Sequence, residues 1–358
     1  MRTALVKQVL DVFGPWAGVK WQDTSPQKLF DVWPNKAVYW ELTCMLQADW
    51  YIVPQASSSD YTRVSVEIFP GRAEAIRKYT KNVTPVESIP FEQYDLVISF
   101  DAILEVPRGH PTLFAYFAQE HWDRLYAQSL GRPAGDYDLF LAHMMDSNST
   151  LPSLPQPISF PYLHDANLVR SIFSCEKREV VWVDWRTLMT LGMKDSADPW
   201  SHEGEAAAGR LQELLDLPIC YRGKPYAQTY GFADPPAWGD AAVYLHELAG
   251  CKYYVSVGGR IGGGQGLGEA ASAGCLCIGQ EDRAYHRLIC HPSCLCADMA
   301  EMLQRLKTVV RSPDLQGEIL SWQDEALRKH FDRGPMHLLE EAVHIKSLGR
   351  RHAKVVPA

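Results

Sequence analysis

The chain has 358 residues, a length that suits two domains of ordinary size better than one core. Hydrophobic residues make up 46% and charged residues 22%, which excludes a disordered or low-complexity chain, and the formal charge of -8 argues against nucleic acid as a partner. No run approaches the roughly 18 consecutive apolar residues of a membrane span.

In chain order, residues 3–13 (TALVKQVLDVF) read as a buried strand stopped by GPWAG. The opening residues lack the apolar core and small-residue cleavage site of a secretory signal, so a cytoplasmic protein is expected. The segment from Lys36 to Pro54 predicts a helix and then the strand WYIVPQ. VSVEIF and YDLVISF read as strands with the helical stretch RAEAIRKYT between them, and TLFAYFAQ as one more strand. From Asp146 to Pro161 the sequence is rich in proline and serine, the best candidate for a linker.

Beyond it the pattern restarts. Helix DANLVRSIF, strand EVVWVDW, helix GEAAAGRLQELLDL, strand PICYRG, helix GDAAVYLHELAG and strand KYYVSVG lead to a glycine loop, then helix LGEAASAG and strand CLCIG. The remainder reads as helix with one break at Gly334 and Pro335. Strands alternating with helices on both sides of the linker predict an α/β fold of two Rossmann-like domains facing each other across a cleft. Their expected spans are 1–155 and 156–330, with the helices of 331–358 crossing back to the first.

Nine cysteines without an export signal favour reduced thiols. Cys275, Cys277, Cys290, Cys294 and Cys296 cluster in a way that invites a zinc reading. The Cys-Leu-Cys spacings are short for a zinc knuckle and lie in apolar runs, so structural thiols and no metal are expected.

The glycine loop, within SVGGRIGGGQGLGEAASAGCLCIGQ (256–280), lies between a strand and a helix read as starting near Leu267. Bare backbone at a helix N-terminus offers unpaired N–H groups to an anion. A Walker loop would need Gly-Lys-Ser/Thr, and Gly268-Glu269 stands there instead. The Gly264-Gln-Gly266-Leu-Gly268 run misses the spacing of a dinucleotide fingerprint. Glu269 has a plain reading as an acid in the first helical turn, favoured by the dipole, and a functional one as acceptor from two ribose hydroxyls.

The order of glycines, then Glu-Ala, then Ala-Gly, then an apolar strand in GGGQGLGEAASAGCLCIG resembles the donor half of GT-B glycosyltransferases. The resemblance implies that Gly262, Gly263, Gly264, Gln265 and Gly266 face the diphosphate of a nucleotide sugar and that Glu269 holds its ribose. Where many retaining members carry an earlier glutamate, this chain has Ile261 and Gly262, so retention or inversion stays open.

Charge developing on a diphosphate leaving group calls for cations. Arg186, Arg222 (with Lys224) and Arg260 follow strands of the second half or lie in the loop; each taken singly also reads as a surface charge. A base for the acceptor hydroxyl is expected from the first half, where FAYFAQEHWDR brings Glu120, His121 and Asp123 together, His121 as base with either acid to orient it. Asp101 and Asp11 stand at other strand ends. The tryptophans of the first fifty residues are core aromatics in the plain reading, or a stacking face for a sugar, or a weak membrane contact.

The expected function is transfer of a sugar from a nucleotide-sugar donor to a carbohydrate or glycolipid acceptor, without a cofactor. A nucleotide-sugar epimerase of the same fold, or a non-catalytic nucleotide- or sugar-binding protein, are the alternatives.

Overall fold

The computed structural model describes residues 1–8, 20–23, 37–53, 85–100, 104, 110–118, 137–142, 158–184, 187, 202–221, 241–257 and 265–355. The chain divides into two compact units, Met1–Leu163 with Arg333–Ala358, and His164–Asp332.

The first unit holds a parallel sheet of β1 (Thr3–Gln8), β2 (Asp49–Val53), β3 (Leu96–Phe100), β4 (Leu113–Ala118), β5 (Leu139–Ala142) and β6 (Ile158–Ser159), in the order β2-β1-β3-β4-β5-β6. Helix α1 (Ala37–Leu46) leads into β2, and Trp50 donates its indole N–H to Thr43 Oγ1 at 2.6 Å. One core gathers Ala4 and Val6 of β1, Tyr51 and Val53 of β2, Val97 and Phe114 with Ile89, Tyr94 and Leu104. Trp50, Phe114 and Phe117 are among the largest fully buried side chains, each contributing about 2–3 kcal/mol by area.

The amino ends of these strands carry a closed polar cluster. Tyr94 donates to Asp49 Oδ2 at 2.6 Å, Tyr51 lies 2.7 Å from the Tyr94 oxygen, and Trp21 N donates to Asp49 Oδ1 at 2.8 Å. Lys20 Nζ donates to both phenol oxygens and sits 4.0 Å over the Tyr51 ring. Burial first, then the bond to Asp49 and its charge, holds the Tyr94 phenol far above its ordinary pKa.

Two sequence readings change here. β5, an apolar run too short to stand out, pairs with β4; and Ile158–Ser159, at the end of the stretch read as a linker, pairs with β5 as β6. Phe160 and Tyr162 then bury against Phe117, both at 5.9 Å between ring centres. The strand VSVEIF and helix RAEAIRKYT lie outside the described residues.

The second unit opens with α2 (Ala166–Ile172), whose first turn is capped by Asp165 Oδ1 accepting from Leu168 N at 2.9 Å. Its sheet contains β7 (Arg178–Val183), β8 (Ile219–Tyr221), β9 (Cys251–Ser256), β10 (Leu276–Gln280) and β11 (Leu295–Cys296), all parallel in the order β11-β10-β9-β7-β8. Helices α3 (His202–Leu215), α4 (Ala241–Gly250), α5 (Gln265–Ser272) and α6 (Ala284–Ile289) connect the strands, followed by α7 (Met299–Arg311) and α8 (Pro313–His330). Gln323 of α8 is buried and serves the start of β10 as a strand would: its Oε1 accepts from Cys277 N at 2.9 Å and its Nε2 donates to Cys275 O at 2.7 Å.

The final helix, α9 (Arg333–Val355), belongs to the first unit and packs on β4 and β6. The expected break at Gly334 and Pro335 lies three residues earlier, at Phe331 and Asp332. Pro335 falls in the first turn of α9, where its missing N–H costs nothing. No helix among the described residues is long and apolar enough to cross a membrane.

Candidate functional site

In both sheets the strand order reverses between the first and third strands, β1/β3 and β7/β9, and ligands of doubly wound sheets bind beyond the carboxyl ends at such a reversal. In the second unit that rim is tightly laced. Asp184, the residue after β7, donates its N–H to Val255 O at 2.9 Å and accepts from Ser256 Oγ at 3.0 Å. Thr187 closes a turn onto Asp184 O, and its hydroxyl accepts from Val257 N at 2.9 Å. Ser256 stands in register with Gly279 of β10, so the ends of β7, β9 and β10 form one edge.

The helix after the glycine loop starts earlier than the sequence suggested. α5 includes Gln265 and Gly266, so Glu269 lies in its second turn, where the dipole offers little, and the helix-start reading of Glu269 is corrected. Glu269 is 7% exposed. Two glycines of the loop motif have packing roles. A Cβ on Gly266 would stand 2.6 Å from the Tyr254 hydroxyl, and one on Gly268 would stand 2.2 Å from His164 Nε2. The ring of Tyr254 rises from β9 beneath the first turn of α5. His164 Nε2 meets the Tyr285 hydroxyl at 3.0 Å, with the Phe331 ring tilted against the imidazole at 5.9 Å between centres.

Burial, then the nearby charge of Asp184, then Tyr244, Cys277 and Glu269, keep the Tyr254 phenol protonated well above its ordinary range. Its hydroxyl is therefore neutral. On the far side of the rim, after β10, Arg283 is buried with Nε donating to Gln280 Oε1 at 3.3 Å, and His286 Nδ1 accepts from Gln280 N at 2.8 Å.

Of the residues expected in the site, Gln265, Gly266 and Glu269 are described, and all three lie in α5. Gly262, Gly263, Gly264, Arg186, Arg222, Lys224 and Arg260 lie outside the described residues, as do Glu120, His121, Asp123, Asp101 and Asp11. Asp184, Ser256 and Arg283 went unread. Asp184 and Ser256 are polar residues at the end of apolar runs (VVWVD, YYVS), the transition that marks a strand's carboxyl end, and Arg283 follows the run CLCIG after three polar residues. Lys7, 1% exposed in β1 beside the other reversal, was masked by the apolar residues around it.

Buried cysteines of the second unit serve the fold. Cys275 Sγ donates to Leu248 O at 3.1 Å and Cys296 Sγ to Gly279 O at 3.1 Å. Burial pushes the thiols of Cys294 and Cys296 up to about 11 and about 12, and holds those of Cys277 and Cys290 well above the ordinary thiol range, so they stay protonated. Among the described residues no group of three or more His, Cys, Asp and Glu is placed to hold a metal ion.

No protein-family model matches the chain, and no curated protein matches it. Solved structures of similar chain path include an alpha-glucosyltransferase in complex with UDP and DNA containing a HMU base (10% identity, 96% of this chain and 99% of that one, TM-score 0.49). A second alpha-glucosyltransferase structure, with UDP-glucose and DNA containing an abasic site, has 11% identity over 96% and 99% at TM-score 0.48. A UDP-forming trehalose-phosphate synthase from Burkholderia xenovorans has 10% identity over 81% and 80% at TM-score 0.45. The expectation of no nucleic-acid partner is corrected by the first two, which are described with DNA: a net charge of -8 excludes no such partner. By its own strand orders the chain has two Rossmann-like α/β units, the pair of domains on which the GT-B fold is built.

Proposed function

We propose that the chain is a GT-B glycosyltransferase that moves a sugar from a nucleotide-sugar donor on the second unit to an acceptor hydroxyl on the first. The observation that carries this is Glu269, a carboxylate buried in the second turn of the helix that follows the glycine loop. A carboxylate there suits two donors held close together, as the vicinal hydroxyls of a ribose are. The backbone of Gly262, Gly263, Gly264, Gln265 and Gly266 would face the diphosphate. Arg186, Arg222 and Arg260, joined now by the buried Arg283, are the cations for the charge that develops on the leaving group.

His121, oriented by Glu120 or Asp123, is proposed as the base on the acceptor side. All nine cysteines are free thiols, which suits a reducing compartment, and we place the protein in the cytoplasm.

The test is a thermal-shift panel of UDP, GDP, ADP, TDP and CMP. One of them is expected to raise the midpoint, since a ligand of the folded state stabilises it by mass action. Five unmoved midpoints would end the donor-site reading. Glu269→Gln should leave the unliganded midpoint in place and weaken that nucleotide roughly 10- to 100-fold, the loss of a charged hydrogen bond. Turnover is then followed with carbohydrate, glycolipid and DNA acceptors. Donor conversion with no acceptor would point to an epimerase, and binding without turnover to a binding protein.

A further inference from the structure

Tyr254 of β9 is 1% exposed, and its ring reaches the first turn of α5. The hydroxyl stands 2.6 Å from the point where a Gly266 Cβ would be, so the glycine leaves room for an oxygen there. Among the described residues this hydroxyl makes no hydrogen bond; burial and nearby charges are what act on it. Other buried phenols are served. Tyr253, the preceding residue, donates to Glu179 Oε2 at 2.7 Å, Tyr94 donates to Asp49, and Tyr285 meets His164. A buried hydroxyl without a partner costs free energy, and such an exception asks what else supplies the bond.

The surroundings of the hydroxyl answer that. The N–H groups at the start of α5 have no carbonyl of their own helix to bond, and the dipole is positive there. The glycine loop runs directly into this turn. Glu269, three residues after Gly266, shares the helix face turned to Tyr254. An oxyanion at the start of α5 thus meets backbone donors from the helix, and Tyr254 adds a side-chain donor from the sheet. The phenol suits that part because burial keeps its proton in place, so it donates to an anion and does not repel it.

We infer that the Tyr254 hydroxyl donates a hydrogen bond to a diphosphate oxygen at the start of α5, and that Gly266 is glycine to leave that hydroxyl in place. The inference rests on the donor-site reading above and adds to it a binding residue from the strand before the loop.

Titration calorimetry of the full chain with inorganic pyrophosphate, and with UDP, GDP, ADP and TDP, tests it. Tyr254→Phe should weaken pyrophosphate and the nucleotide that binds by the same factor, roughly tenfold, the loss of one hydrogen bond to a charged group. Its unliganded thermal midpoint should not fall, because no bond within the protein is removed. Glu269→Gln should weaken the nucleotide and leave pyrophosphate unchanged, since pyrophosphate has no ribose. Equal pyrophosphate affinity in Tyr254→Phe and the unaltered chain overturns the inference and leaves the nucleotide reading standing. So does a lowered unliganded midpoint with affinity kept, which would give the hydroxyl a partner inside the fold. Pyrophosphate binding that Tyr254→Phe weakens, with no nucleoside diphosphate bound, upholds the inference and removes the nucleotide. A chain that binds neither overturns both.

Discussion

The two sheets share a strand order, with the first strand of each flanked by its second and third, but the residues near the carboxyl ends of the reversal strands differ in charge. In the first unit β1 nears its end with Lys7, in register with Ile52 and Phe100 and 1% exposed. In the second unit β7 is followed by Asp184, bonded to Ser256 of β9, and Glu269 lies in the helix beyond. The same crossover geometry thus places a buried cation in one unit and carboxylates in the other. Topology decides where a crevice opens, while a single residue at the end of a strand decides what charge it presents.

The largest effect expected from testing this contrast is at Lys7. Lys7 is 1% exposed and has interactions within the protein, and truncating so deeply buried a side chain removes them and leaves a cavity. Lys7→Ala should cost about 3–5 kcal/mol in urea unfolding. Asp184→Asn keeps an oxygen for the Ser256 hydroxyl, sits at a half-buried rim, and should cost less than about 1 kcal/mol. Similar costs at the two positions would remove the contrast, because they would make Lys7 as peripheral as Asp184.

Next in size are the two glycines that seat α5. Gly268→Ala forces a Cβ onto the His164 ring and Gly266→Ala forces one onto the Tyr254 hydroxyl, and overpacking of this kind costs about 1–3 kcal/mol. The contact at Gly268 is the shorter and is made with a fully buried ring, so its cost should be the higher. Tyr254→Phe removes the atom that Gly266→Ala strikes. The double variant should therefore recover most of the loss in the same unfolding assay, and a simply additive result would mean that the clash is not the cause.

How far these features were legible in the sequence follows from the physics of each. The alternation of long apolar strands with helices was readable because burial on both faces leaves uninterrupted runs such as VVWV and KYYVSV. The two-residue β6 and four-residue β5 were not, since runs so short carry no period of their own and owe their conformation to the strands beside them. Glu269 was legible as a lone acid after glycines, but its depth in α5 was not, because the close approach of Tyr254 and Tyr244 to Gly266 is made across the fold and leaves no mark in the linear sequence. Lys7 and Arg283 look like ordinary surface cations in a linear sequence; burial across strands and helices is what distinguishes them.

The smallest effect concerns pH, and it contrasts the amino ends of the first sheet with the rim of the second. Tyr94 and Tyr254 both hold their protons above the ordinary tyrosine range of about 10, in each case by burial first. For a phenol whose pKa is raised by folding, the stabilisation is complete below about pH 10 and is lost as the pH rises toward the folded value, since the unfolded chain releases the proton first. Tyr94 differs in donating its hydroxyl proton in a hydrogen bond to Asp49, a carboxylate that Trp21 N–H also serves. Tyr94→Phe should therefore start about 1 kcal/mol less stable at neutral pH and then lose less between about pH 9 and pH 11, so that its curve approaches that of the unaltered chain. Urea unfolding across that range checks this. Curves that stay parallel would show that the Tyr94 proton is not part of the alkaline loss, and would leave Tyr254 and the second unit as its source.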